Sequence, residues 1–110
     1  MLKIVSENTL DELSQKAICS PRKRMNYNYH DDLADPINRM LNAFEPGTYV
    51  QPHRHENPDK REVFILLRGS LVVVFFDEKG APTDFVLLDQ KKGIYSVEIP
   101  EKVWHTLIAL

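Results

Sequence analysis

The 110-residue chain has little of what marks several large protein classes. Its one cysteine, Cys19, excludes a disulfide within the chain and favours a reducing compartment. It has 14 basic and 16 acidic residues, so it lacks the net positive charge that nucleic-acid binding needs. Its longest apolar run, Leu71–Phe76, is far shorter than the ~20 residues of a membrane-spanning helix. We therefore expect a cytoplasmic protein that binds neither nucleic acid nor membranes.

The length and the hydrophobic content, 43%, predict one folded domain over residues 1–110. Within it, a helix is expected over about residues 9–19. Thr9 and Glu12 have the spacing of a capping box, and Leu10 begins an apolar stripe at helical spacing. Pro21 ends the helix, because the residue before a proline is pushed out of the helical region.

The rest of the chain, from about residue 24 to residue 110, has the pattern of short strands separated by turns. The runs expected as strands are Thr48–His55, Glu62–Leu67, Leu71–Phe76, Phe85–Leu88 and Val103–Leu110. Short strands with a single helix predict a mainly β fold, either a sandwich or a barrel.

The histidines are the best candidates for chemistry. His53 and His55 lie two residues apart in a predicted strand, so both side chains should leave the same face and could hold one metal ion. Glu62 begins the next predicted strand, and His105 lies in the last one. The spacing alone leaves a second interpretation open, in which the histidines are structural or lie in a solvated loop.

Two longer patterns resemble the two motifs of the cupin superfamily. Residues 47–69 read Gly-x5-His-x-His-x6-Glu-x6-Gly, and residues 93–105 read Gly-x6-Pro-x4-His. Finer matches resemble the WbuC family of cupin-fold metalloproteins; they are Arg24–Asn26, Leu41–Tyr49, Pro52–His55 and Trp104–Thr106. The resemblance implies a double-stranded β-helix (jelly-roll) barrel. It also implies a divalent transition metal (Fe, Mn, Ni, Zn or Cu) held by His53, His55, Glu62 and His105.

The sequence departs from the cupin pattern at two places near these residues. The six residues between His55 and Glu62 exceed the usual spacing, which we interpret as a loop insertion that leaves Glu62 in register. Glu56 is the alternative carboxylate, although a residue next to His55 on a strand points to the other face. Lys102 stands where many cupins have a turn glycine.

A second candidate site comes from alternation at the start of the predicted β region. Polar side chains at every second position, with Met25, Tyr27 and Tyr29 between them, predict a strand with one polar face. Turned inward, this face would bind an anionic substrate; turned outward, it would be the solvated face of an edge strand. The candidate substrate-binding residues are Arg24, Asn26, Asn28, His30 and, further along, Arg39.

The resemblance to WbuC implies a metalloenzyme, of no assigned reaction, that acts on a small polar or anionic molecule. A sugar derivative of surface-polysaccharide (O-antigen) biosynthesis is the expected class, and a homodimer the expected assembly. Two alternatives stay open: a non-catalytic cupin that binds a sugar or small acid as sensor or carrier, and a cupin with a purely structural metal. The chain ends in an apolar strand pattern, Thr106–Leu110, so we expect either a truncated domain or a partner subunit over this edge.

Overall fold

In a computed structural model, which describes residues 2–110, the chain is mainly β with one N-terminal helix, as the sequence predicts. It divides into two compact units, one ending at Thr48 and one spanning Tyr49–Leu110. The single domain expected from the length stays a prediction. The elements are α1 (Glu7–Cys19), β1 (Arg24–Asn28), β2 (Met40–Phe44), β3 (Glu62–Ile65), β4 (Ser70–Phe76), β5 (Pro82–Asp89), β6 (Ser96–Ile99) and β7 (Trp104–Ala109).

The first unit consists of α1 packed against the antiparallel pair β1–β2. The helix begins earlier than predicted, because Ser6 and not Thr9 is the N-cap. The Ser6 side chain accepts a hydrogen bond from the Thr9 N–H, and the Thr9 hydroxyl accepts one from the Ser6 N–H at 3.1 Å. Two capping signals overlap here, and the earlier one adds most of a turn. Leu13 and Ala17 are the buried residues of the helix.

The second unit contains two antiparallel sheets, one of order β3–β6 and one of order β5–β4–β7. Val73 and Leu88 from one sheet and Ile99 from the other are almost fully buried and form one shared core. The strands of each sheet are open at the edges, so the residues described here do not form the closed barrel that the resemblance implies.

The predicted strand Thr48–His55 is wrong. These residues form no strand, and only His53 pairs with β7, through a bridge to His105. The His53 N–H bonds the His105 carbonyl and the His105 N–H bonds the His53 carbonyl, each at 2.9 Å.

The turn between β6 and β7 places Lys102 in the left-handed region, with φ 64°. This is the conformation that glycine adopts without steric cost, so a lysine occupies a glycine-like turn position. Its N–H bonds the His55 carbonyl at 3.3 Å, and its Nζ lies 3.2 Å from an Asp59 carboxylate oxygen. No described helix is long and apolar enough to cross a membrane.

Candidate metal centre

Four side chains of the second unit converge on one point. His53, His55, Glu62 and His105 each offer one ligand atom, and these atoms all lie within 4.8 Å of one another. They come from three separate places: the irregular segment before β3, the first residue of β3 and the second residue of β7. The structure thus brings together the four residues that the resemblance nominated.

The rings of His53 and His105 are oriented through their Nδ1 atoms. Nδ1 of His53 donates to the Gln51 carbonyl and Nδ1 of His105 to the Val103 carbonyl, both at 2.8 Å. A carbonyl only accepts, so each Nδ1 carries a hydrogen and each neutral ring has its lone pair on Nε2. The ring centroids lie 4.4 Å apart. Such a bond from the far nitrogen is what fixes a metal-binding histidine in place.

Glu62 supplies a carboxylate between two of the imidazoles. Its Oε1 contacts Nε2 of His55 and lies 3.4 Å from Nε2 of His105. These three atoms are buried, yet none makes a hydrogen bond of acceptable geometry. Buried polar atoms without partners destabilise a fold. A single cation bound between these three atoms would satisfy all of them. The residues present therefore fit a metal ion.

The mutual influence of these groups appears in their pKa values. For Glu62, burial raises the pKa, but the contact with His105 and the charges of the three imidazoles outweigh it and lower the pKa overall. For His105, burial lowers the pKa, but Glu62 and the Val103 carbonyl raise it overall. For His55, burial dominates and lowers the pKa, against the opposing charge of Glu62. The site therefore favours an ionised Glu62 and, at His55, a neutral ring ready to bind metal.

The donor set is three imidazole nitrogens and one carboxylate oxygen. This set suits Fe, Mn, Ni, Zn or Cu and differs from the cysteine-rich sets typical of structural zinc. Access to the site is one-sided: the side chains of His55 and Glu62 are 37% and 25% exposed, whereas that of His105 is 1% exposed. A bound ion would therefore be reached from the side of His55 and Glu62.

Glu56, the alternative ligand, takes no part in the cluster. Its carboxylate lies 3.3 Å from Nε of Arg54. The long connection between His55 and Glu62 contains a turn at residues 56–59, and the Lys102–Asp59 ion pair holds that turn. The extra residues thus form a loop, and Glu62 stands at the first position of β3.

Residues 5–88 match the family described as Domain of unknown function (DUF6016), which covers about three quarters of the chain. The chain belongs to this family. The match includes His53, His55 and Glu62 and ends before His105. Searches of curated proteins and of solved structures gave no match.

The polar face predicted near residue 24 lies in the first unit, outside the cluster. Asn26 and Asn28 of β1 are exposed and bond each other at 2.7 Å, which agrees with the solvated-face interpretation. Arg24 at the start of β1 is partly buried. His30 departs from the alternation, since it is 5% exposed and its Nδ1 accepts from the Arg39 N–H at 3.1 Å.

Arg39 lines an open cavity of about 780 Å³, but its guanidinium is already engaged. It lies 3.1 Å from an Asp35 carboxylate oxygen and donates through Nε to the Ile37 carbonyl at 3.0 Å. The Asp35 carboxylate thus offsets part of the charge with which Arg39 would bind an anionic substrate. None of the five candidate substrate residues belongs to the four-residue cluster.

Sequence reasoning missed a group of three residues next to the ligands, Arg54, Glu78 and Trp104. The Arg54 guanidinium carbon lies 4.9 Å from the centre of the Trp104 ring, and its Nη1 bonds the Glu78 carboxylate. A signal was present in the sequence, because Arg54 stands between His53 and His55, and Trp104 directly precedes His105.

Proposed function

We propose that this protein binds a divalent transition metal through His53, His55, Glu62 and His105. The observation that carries the proposal is the convergence of four ligand atoms within 4.8 Å, three of them buried without a hydrogen-bond partner. A bound cation would satisfy these buried atoms. Three solvated histidines would not leave buried polar atoms without partners. The fixed rings of His53 and His105 add preorganisation.

The metal is proposed to serve a substrate and not only the fold. Two features support this: the partial exposure of His55 and Glu62, and a ligand set without sulfur. When bound, such an ion acts as a Lewis acid towards a substrate oxygen. The chain's own residues then have two tasks, to orient the ion and to leave one side open.

We further propose that the second unit is part of a cupin-type jelly roll of the WbuC kind. Two antiparallel sheets around one core and a left-handed turn at Lys102, where cupins have glycine, support this fold. The accompanying proposals rest on the resemblance alone: a metalloenzyme acting on a small polar or anionic molecule, such as a sugar derivative of surface-polysaccharide biosynthesis, and a homodimer.

Elemental analysis tests the metal proposal directly. Protein purified without chelators and without added metal should carry close to one transition-metal ion per chain. The double variant His53→Ala/His55→Ala should lose it. His30→Gln is the matched control, because His30 is the one histidine outside the cluster. A wild-type protein that takes up no transition metal, even when it is added in excess, refutes the proposal.

Ligand titration separates a catalytic or binding role from a structural one. Apo and metal-loaded protein are titrated with sugar nucleotides and small organic acids by calorimetry. Binding that needs both the metal and His105 supports a substrate site at the ion. Binding that survives His105→Ala places the ligand elsewhere, as in a metal-independent sensor or carrier. A metal that raises thermal stability while no ligand binds favours the structural role.

A further inference from the structure

Arg54, Glu78 and Trp104 contact one another in the second unit and are here called the Arg54 clamp; Nε of Arg54 also lies 3.3 Å from a Glu56 carboxylate oxygen. Nη1 of Arg54 lies 2.9 and 3.2 Å from the two carboxylate oxygens of Glu78. The guanidinium lies over the Trp104 ring at 4.9 Å, and Nε1 of Trp104 donates to the Glu78 carboxylate at 3.4 Å. Each member therefore contacts the other two.

The clamp differs from an isolated surface ion pair in the burial of Arg54, although the Glu78 side chain is 75% exposed. Isolated exposed pairs contribute little, because solvent screens them and long side chains lose freedom. Here the Arg54 side chain is only 23% exposed and combines a charge-assisted hydrogen bond with a cation–π contact. The planar guanidinium suits both contacts at once, which a lysine does not.

The position of the clamp in the chain links it to the metal ligands. Arg54 lies between His53 and His55, and Trp104 directly precedes His105. Glu78 lies in the turn between β4 and β5, where the Asp77 carboxylate accepts from the N–H groups of Lys79 and Ala81, each at 2.9 Å. The clamp thus fastens both histidine-bearing segments to one well-bonded turn.

The segment that carries His53 and His55 needs such support. It forms no strand, and its one backbone pairing with β7 is the bridge between His53 and His105. Beyond that bridge, the His55 carbonyl accepts one hydrogen bond from the Lys102 N–H at 3.3 Å, and residue 54 between the two histidines is held through its side chain.

We propose that Arg54 is a positioning residue for the metal centre: through Glu78 and Trp104 it holds the His53–His55 segment against β7 in the arrangement that binds metal. This inference rests on the proposed metal-binding function. It assigns the clamp a role in metal affinity and ligand geometry, beyond any contribution to the stability of the unit.

The sign of the effect of Arg54→Gln separates positioning from plain electrostatics. Removing a positive charge near a dication should tighten metal binding, by about twofold or less at physiological salt. Loss of positioning should weaken it by about tenfold, the lower end of what supporting residues contribute at metal sites. The double variant Arg54→Gln/Glu78→Gln keeps the net charge, so electrostatics predicts wild-type affinity and the clamp predicts the same tenfold loss.

The assay is a competition titration of Co(II) against a chelating dye, together with the visible d–d absorption of the Co(II) protein. Lys79→Gln is the charge-matched control in the same turn and should stay within about twofold of wild type. Arg54→Lys, a milder change, should fall between wild type and Arg54→Gln. Circular dichroism and melting of the apo proteins check that each variant is folded.

The expected result is a tenfold weaker affinity in Arg54→Gln and in the double variant, with an altered Co(II) spectrum. Wild-type or tighter affinity in Arg54→Gln or in the double variant overturns the proposal. If Arg54→Gln is poorly folded, wild-type or tighter affinity in both Arg54→Lys and Arg54→Gln overturns it. A wild-type protein that binds no Co(II) at all is a different outcome, because it refutes the metal site itself.

Discussion

Replacing Glu62 by glutamine is the most direct test of the donor set. The amide keeps the size of the side chain and removes the charge between His55 and His105. Structural four-ligand zinc sites bind with about 10–16 kcal/mol, so one ligand of four accounts for about 3 kcal/mol, or about 100-fold in affinity. We expect a loss of that size in Glu62→Gln.

The loss can be measured as reduced thermal stabilisation by metal. At a free metal concentration about 100 times the wild-type Kd, binding stabilises the fold by about 2.7 kcal/mol. The same concentration is about equal to the Kd of Glu62→Gln and gives about 0.4 kcal/mol. At about 4 °C per kcal/mol, the melting temperature should rise by about 11 °C in the wild type and about 2 °C in the variant.

Comparing each protein with its own apo form removes any effect of the substitution on the fold. Glu56→Gln is the matched control, since it removes the same charge from a carboxylate that faces Arg54 and not the cluster. It should keep nearly the full metal-induced rise. A Glu56→Gln variant that loses more of this rise than Glu62→Gln would refute the ligand assignment.

Three further predictions concern the apo protein and its fold. Because the pKa of Glu62 is lowered from 4.5 and that of His105 is raised from 6.5, their mutual stabilisation is complete between these values. The stabilisation is lost at lower pH as Glu62 protonates and at higher pH as His105 loses its proton. The difference in unfolding free energy between the apo wild type and apo His105→Asn, measured in urea, should therefore be largest in that pH window; a difference that does not change with pH would contradict the pairing. Lys102→Val should lower the free energy of unfolding by about 1–3 kcal/mol, because a β-branched residue tolerates φ 64° poorly. Lys102→Gly should stay within about 1 kcal/mol of wild type, and equal effects of the two substitutions would exclude a strained turn. Leu88→Ala, at a fully buried site, should cost about 2–5 kcal/mol by denaturation, and Phe85→Ala on the same strand, 67% exposed, far less; similar losses would refute the core assignment.

The sequence predicted the fold class and the positions of most strands, because apolar runs and turn residues report them locally. It placed the helix start at Thr9 instead of Ser6, since two capping patterns overlap and spacing alone does not rank them. It predicted a strand at Thr48–His55, yet a segment forms a strand only where its backbone pairs with that of a neighbour. This segment pairs with β7 only at the bridge between His53 and His105.

The site could be nominated only because motif spacing ties His105 to residues some fifty positions earlier. Periodicity carries no such information, since it describes one element at a time. The same limit applies to His30, whose place in the alternating pattern did not predict that its Nδ1 accepts a hydrogen bond from the Arg39 N–H. The Arg54 clamp was not predicted for a related reason. Its three members are far apart in sequence, and only the arrangement of β4, β5 and β7 brings them together.

The irregular backbone at residues 48–55 changes how the two histidines must be held. In a strand, positions 53 and 55 would share a face through regular pairing along the whole segment. Here their rings stand nearly perpendicular, at 85°, and their placement depends on separate contacts: the bridge to His105, the Nδ1 bond to Gln51 and the contact of His55 with Glu62. A further hydrogen bond, from the Lys102 N–H to the His55 carbonyl at 3.3 Å, holds the backbone of His55, but none of these contacts is made by residue 54. A segment with so few backbone bonds has more freedom than a strand, so its ligand geometry also depends on what restrains residue 54. That dependence is why a side chain that touches no ligand is expected to influence metal affinity.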